Sequence, residues 1–233
     1  MKNSKSYYNS LANTYSVQVN DRIKYLNAID DFIINDNLNV VDNYLDIGCG
    51  DGRRSVKISE SINVKYETIL VDDSLKMLSK FEGKPNIKTF NQSIFDFNHS
   101  DKFNLITCLW NVLGHFPSKE AIISLFQKIN DLLVNGGAFI FDVNNRYNIS
   151  HYGYENVERN LKNDKLNMEN NGWFKLGNEP NQTKVYVHSP FDIEEYLLDT
   201  DLILEQVKYI DYKTGEPKET FFEGQLLYKI TKK

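Results

Sequence analysis

Tyr44-Leu45-Asp46-Ile47-Gly48-Cys49-Gly50-Asp51-Gly52 is the stretch that decides how this chain is read. Val40 to Ile47 predicts a strand and Asp51 to Ser59 a helix, which places the glycines at a strand-to-helix turn. A strand ending in glycine lets a ligand approach the backbone, because no Cβ stands in the way. The helix that follows aims its first N–H groups at that ligand. About 20 residues further on, Leu70-Val71-Asp72-Asp73-Ser74 closes a second apolar run, and an acid there can accept both hydroxyls of a ribose. Together these features predict a nucleoside site at the carboxyl edge of a parallel sheet, in preference to a bare tight turn. The glycines fall as G-x-G-x-G, not as the G-x-G-x-x-G of dinucleotide sites. Asp46 would also repel a pyrophosphate, whereas it suits an ammonium or sulfonium charge. A nicotinamide dehydrogenase is therefore disfavoured.

Outward from this loop, strand-like and helix-like segments alternate, as in an α/β sheet. Ile23, Leu26, Ile29 and Ile33 recur at helical spacing within Asp21–Asn35, and Asn37-Leu38-Asn39 breaks that helix. Thr68–Val71, Asn86–Phe90, Phe103–Leu109 and Ala138–Val143 predict further strands. Ser118 caps a helix running to Val134, and Asn135-Gly136-Gly137 stops it. Residues 144–181 lose apolar periodicity, the mark of a functional insertion. Within and beyond it, Trp173–Leu176 and Lys184–His188 can pair as strands. Asp192–Asp199 predicts a helix. Leu202–Tyr212 and Phe222–Thr231 predict an antiparallel pair about the Lys213–Pro217 turn. The expected organisation is an N-terminal lid and first helix (1–36), a core (37–143), a substrate lid (144–188) and a C-terminal completion of the sheet (189–233).

The chain has 233 residues and a formal net charge of -5, which suits one domain or one with an insertion. The acidic balance argues against nucleic acid and anionic membranes as partners. Two cysteines, Cys49 and Cys108, give no disulfide framework or multi-cysteine zinc site, and no run of about 18 apolar residues is present. The N-terminal residues lack the apolar core of a secretory signal, so a cytoplasmic setting is expected. A homodimer stays open.

Leu45-Asp46-Ile47-Gly48-Cys49-Gly50-Asp51-Gly52 resembles the first motif of class I (Rossmann-like) S-adenosylmethionine-dependent methyltransferases. Val71-Asp72-Asp73-Ser74 with Met77-Leu78 is similar to that family's ribose-binding segment, and Leu132–Ala138 to its helix-to-fifth-strand turn. The resemblance runs from about Val40 to Val143. It implies a doubly wound, seven-stranded, mainly parallel sheet with an antiparallel last strand and a small lid insertion after the fifth. It implies S-adenosylmethionine as cofactor and S-adenosylhomocysteine (SAH) as product; no metal is expected, since no clustered Asp/His/Glu set with metal-ligand spacing is present in the sequence. Gly48, Cys49 and Gly50 would meet the methionine part, Asp46 its amino group, and Asp72 the ribose. Asp73 and Met77 would border the adenosine, and Gln92, Ser93 and Ile94 its adenine. The Leu109 carbonyl would bind the cofactor amine. Tyr15 and Arg22 match residues that hold its carboxylate in some relatives.

In the same family the fourth strand ends under the transferable methyl, which points to Trp110, Asn111 and His115 as catalytic candidates. Core packing for Trp110 and loop capping for His115 are the plain structural readings. Tyr8 of the N-terminal tyrosine segment, with Asn144, Arg146 and Tyr147 after the fifth strand, would meet the substrate. Arg146 is the candidate for an anionic group. The expected activity is methyl transfer to O or N of a small molecule. A methyltransferase for a tRNA nucleoside or protein side chain would use a basic rim of Lys162, Lys165, Lys175 and Lys184. A non-catalytic, cofactor-binding partner subunit is the other alternative. His99, His151 and His188 have no assigned role, and no Asp/His/Glu set shows metal-ligand spacing.

Overall fold

The computed structural model describes residues 2–36, 40–168 and 171–233. Three helices, α1 (Ser4–Leu11), α2 (Tyr15–Asp21) and α3 (Ile23–Asn35), precede β1 (Asn43–Ile47). There follow α4 (Arg53–Ser61), β2 (Glu67–Val71), α5 (Leu75–Leu78), β3 (Ile87–Phe90) and β4 (Phe103–Cys108). A 3-10 turn (Val112–His115) leads into α6 (Lys119–Leu132) and β5 (Leu133–Val143). The insertion holds α7 (Ile149–Tyr152), α8 (Tyr154–Lys165), β6 (Trp173–Asn178) and β7 (Asn181–Tyr186). The chain closes with α9 (Asp192–Tyr196), β8 (Leu202–Ile210), β9 (Pro217–Lys218) and β10 (Gln225–Lys232). The break expected at Asn37-Leu38-Asn39 lies outside the described residues.

Eight strands form one sheet in the order β3-β2-β1-β4-β5-β10-β8-β9. The first five pair in parallel, and β10 runs antiparallel to both β5 and β8. Side chains alternate between two cores, as a sheet covered on both faces requires. Leu105, Ile140 and Leu227 pack with Tyr25, Leu26 and Ile29 of α3 on one face. Ile106, Phe139, Phe141 and Tyr228 pack with Leu125, Phe126 and Ile129 of α6 and Tyr196 of α9 on the other. The strand order reverses beside β1, so the loops after β1 and β4 diverge and open a crevice at the carboxyl edge.

Two local expectations are corrected. The sheet has an eighth strand because the Lys213–Pro217 turn closes a hairpin between β8 and β9, not between β8 and β10. Asp211 drives that turn: its Oδ1 accepts the N–H groups of Lys213 (2.9 Å) and Thr214 (2.7 Å), which reverses the chain at the end of β8. Helix α6 ends at Leu132 rather than at the glycines, since Leu133 already pairs with Phe103. The glycines instead form the bulge before Ala138 pairs with Leu105, with Gly136 at φ +76°.

In the insertion, the two segments expected to pair do so as β6 and β7, an antiparallel hairpin with Trp173 opposite Tyr186 and Lys175 opposite Lys184. It is fastened to the core by a buried ion-pair network. Arg146 Nε donates to Asp164 (2.8 Å), and its Nη1 donates to Asp192 (3.1 Å) and to the Val187 carbonyl (3.0 Å). The Tyr147 hydroxyl donates to Asp164 as well.

Candidate active site

The glycine loop begins where β1 stops. Gly48, Gly50 and Gly52 all take positive φ, which side-chain-bearing residues rarely adopt. A Cβ on Gly48 would fall 2.5 Å from Val112 Cγ1, so this loop and the turn after β4 touch only because Gly48 is bare. Asp72, one residue past β2, ties the loop down: its Oδ2 accepts the Gly50 N–H (2.8 Å) and its Oδ1 the Ser74 N–H (2.7 Å). Each carboxylate oxygen has room for a further bond. Burial raises its pKa to about 6.

These loops enclose a cavity of about 320 Å³. It gathers most of the expected positions: Tyr15, Gly48 and Gly50; Asp72, Asp73 and Met77; Gln92, Ser93 and Ile94; and Leu109, Trp110, His115 and Tyr8. Asp46 and Cys49 lie instead in an adjoining cavity of about 200 Å³, which shares Tyr15, Gly48, Leu109 and Trp110 with the first. Asp46 is buried, accepting hydroxyl hydrogens from Ser55 (2.5 Å) and Thr107 (2.6 Å), and burial lifts its pKa to about 6. Beside it, Arg54 Nε donates to Asp30 at 2.9 Å.

The turn after β4 is held under strain. Trp110 (φ +61°) and Asn111 (φ +59°) occupy the left-handed region in succession, a costly conformation that persists only where the surroundings enforce it. Asp142 is the enforcing residue. Its Oδ1 accepts the Trp110 N–H (2.6 Å), its carbonyl accepts the Asn111 N–H (3.1 Å), and Tyr25 donates to its Oδ2 (2.7 Å). Next along, His115 Nε2 lies 2.8 Å from the hydroxyl of Tyr8, which projects from α1. Burial drops the His115 pKa to about 4, so the ring is neutral at pH 7. Tyr8, Tyr15, Trp110 and His115 form one aromatic cluster, with ring centroids 5.1 to 6.5 Å apart for neighbouring pairs.

Five expected contacts are placed elsewhere. Arg22 lies with its guanidinium carbon 4.4 Å from the centre of the Tyr212 ring and lines neither cavity. Asn111 is buried, its Oδ1 accepting the Asn144 N–H (2.9 Å), so both serve the turn rather than the cavity wall. Arg146 and Tyr147 are committed to Asp164 and Asp192. No lysine lines the main cavity among the described residues; of the suggested basic rim, Lys175 and Lys184 are register partners across the β6–β7 hairpin and Lys162 pairs with Glu158 at 3.0 Å. Residues 45–143 taken alone gave no signal for Asp142, since a buried acid at a strand end gains meaning only from Tyr25, 117 positions away.

Among the described residues one His/carboxylate group has ligand atoms mutually within 4.8 Å: Glu67, His99 and Asp101. Sequence spacing did not reveal it because the fold assembles it from β2 and the loop before β4. It sits at the amino ends of the strands, away from the cavity. His99 Nδ1 accepts the Asp101 N–H (3.2 Å) and Nε2 lies 3.2 Å from Glu67, which also pairs with Lys88 at 2.6 Å. Glu67 thus has its counter-ion in Lys88, and His99 is held by the Asp101 backbone.

Residues 45–137 match a family model described as a methyltransferase domain. The chain is 29% identical over 147 residues to an uncharacterized protein of Methanocaldococcus jannaschii, a match covering 62% of this chain and 53% of that one. The chain spans about half the length of the curated relatives it matches. A crystal structure of an S-adenosylmethionine-dependent methyltransferase from Clostridium acetobutylicum shares the fold at 22% identity, covering 96% of this chain and 98% of that one with a TM-score of 0.65. So does the DhpI–SAH complex, at 14% identity, 97% and 94% coverage and a TM-score of 0.67. Residues 45–137 thus resemble a methyltransferase domain, and the chain shares its fold with a solved S-adenosylmethionine-dependent methyltransferase. No helix among the described residues is long and apolar enough to cross a membrane.

Proposed function

We propose that this protein binds S-adenosylmethionine and transfers its methyl group to O or N of a small molecule. The observation that carries the reading is Asp72, a buried carboxylate locked to the glycine loop by the Gly50 N–H while lining the cavity. An acid so placed suits a ribose diol. Asp73 and Met77 would border the adenosine, with Gln92, Ser93 and Ile94 at the base. The adjoining cavity is lined by Asp46 and Arg54, an acceptor carboxylate and a donor guanidinium that match the ammonium and carboxylate of an amino acid. When bound, the cofactor supplies a methyl already activated by the sulfonium charge. The protein then has to orient the acceptor and exclude water, which can account for roughly 7–11 kcal/mol of a barrier. The aromatic wall of Tyr8, Tyr15 and Trp110 serves both needs. His115 is the nitrogen base on the wall and the candidate to accept the acceptor's proton, with a basicity that burial lowers.

Small-molecule specificity is supported by the cavity volume, by its closure beneath α1 and by a lining without Lys or Arg among the described residues. The test is to incubate the protein with methyl-labelled S-adenosylmethionine and, separately, the low-mass, RNA and protein fractions of a cell extract. Label is expected in the low-mass fraction. Label in RNA or protein would overturn the small-molecule assignment.

A further inference from the structure

Charge divides sharply around the main cavity. The ionised or ionisable groups on its wall are Asp72, Asp73 and His115, together with the Tyr8 and Tyr15 hydroxyls; no Lys or Arg lines it among the described residues. The nearby cations are engaged elsewhere. Arg54 pairs with Asp30 (2.8 Å), Arg146 with Asp164 and Asp192, and Lys119 with Glu195 (3.1 Å). Arg22 stands over Tyr212; Lys5 of α1 is the exception, a cation outside the wall whose charge acts on Asp73. An anionic acceptor would therefore meet acidic neighbours and no Lys or Arg on the wall to pair with, which is unfavourable in a buried site. Away from Asp72 and Asp73, the wall is aromatic: Tyr8, Tyr15, Trp110 and Phe116, with His115 among them. Aromatic faces attract cations and bind apolar bodies, and repel carboxylates.

We infer that the acceptor is an amine on a small apolar body, and that anionic acceptors are excluded. This rests on the cavity being the S-adenosylmethionine site proposed above. An amine must present its lone pair to be methylated, so its proton has to leave. Among the wall residues His115 is the neutral nitrogen base. Its Nδ1 is buried and has no protein partner, while Nε2 meets the Tyr8 hydroxyl. In the tautomer whose Nε2–H donates to the Tyr8 oxygen, Nδ1 carries the free lone pair. Tyr8 is thus a positioning residue that sets the His115 tautomer from the lid helix.

The test is calorimetric titration of the SAH-saturated protein with three probes of matched size: 2-phenylethylamine, 2-phenylethanol and phenylacetate. The amine is expected to bind at least about tenfold more tightly than the carboxylate, with the alcohol between them. Phe116→Lys, which places a cation on the wall, is expected to reverse that order. Tyr8→Phe is expected to narrow the preference while SAH affinity changes less than about threefold. Equal or tighter binding of phenylacetate, or binding of none of the three, overturns the inference while SAH binding leaves the cofactor assignment standing. Failure of SAH itself to bind overturns both.

Discussion

Asp72 does two jobs with four lone-pair sites. Two of them hold the glycine loop and the start of α5, and the remainder are left for a ligand. Asp72→Ala should therefore weaken SAH binding at least about 100-fold, the loss expected for two charge-assisted bonds, measured by calorimetry. Its pKa of about 6, raised by burial, has a stability consequence shared with Asp46. Between the ordinary carboxylate range and 6 the folded state binds more protons than the unfolded, so these two groups lower stability as pH rises through that window. His115 separates from both by function. His115→Ala should cut turnover by about 10²- to 10⁴-fold while SAH affinity stays within about threefold, checked by steady-state rates beside binding. Asp72 was legible before the fold was known because its partners lie within one motif. Asp142 was not, because Tyr25 and Trp110 reach it only through the sheet.

Elements around the cavity are coupled through the β6–β7 hairpin. Helix α1 lies on one side of it: a Cβ on Gly177 would come 2.8 Å from Tyr7. The His115 turn lies on another, where a Cβ on Gly114 would collide with the Tyr186 carbonyl. The hairpin thereby sets the distance between Tyr8 and His115. Arg146 anchors this arrangement and does not touch the cavity, so removing it should cost stability and leave cofactor binding alone. Arg146→Met strands Asp192 as a buried charge and Asp164 as a half-buried one, and should destabilise the protein by about 3 kcal/mol in denaturant titration. SAH affinity should remain within about threefold in buffer. The pairing of Trp173–Leu176 with Lys184–His188 could be read from the two strand-like segments themselves. The destination of Arg146 could not, since Asp164 and Asp192 lie 18 and 46 positions away with nothing local to mark them.

Across the molecule, the two-faced sheet was legible because its parallel strands are short apolar runs that end in turn chemistry. The eighth strand was not, being two residues long and created by the Asp211 turn. Acid behaviour is also set at this scale. His188 is buried between Tyr186 and Tyr196 with both ring nitrogens unpartnered, and burial lowers its pKa to about 3. A histidine with a depressed pKa leaves stability untouched above about 6.5 and reduces it below, as the unfolded chain takes up the proton first. At pH 5 this amounts to roughly 2 kcal/mol for His188. His188→Phe should retain the ring packing and flatten the fall in Tm between pH 7 and 5, followed by thermal melts.

The cofactor assignment joins all three scales, because it needs Asp72, the turns after β1 and β4, and the strand order that parts them. Calorimetric titration of the unmodified protein with SAH, with NADH as the control, tests it most directly. The account predicts saturable binding of one SAH per chain and none of NADH. Binding of NADH, or no binding of SAH, would contradict it.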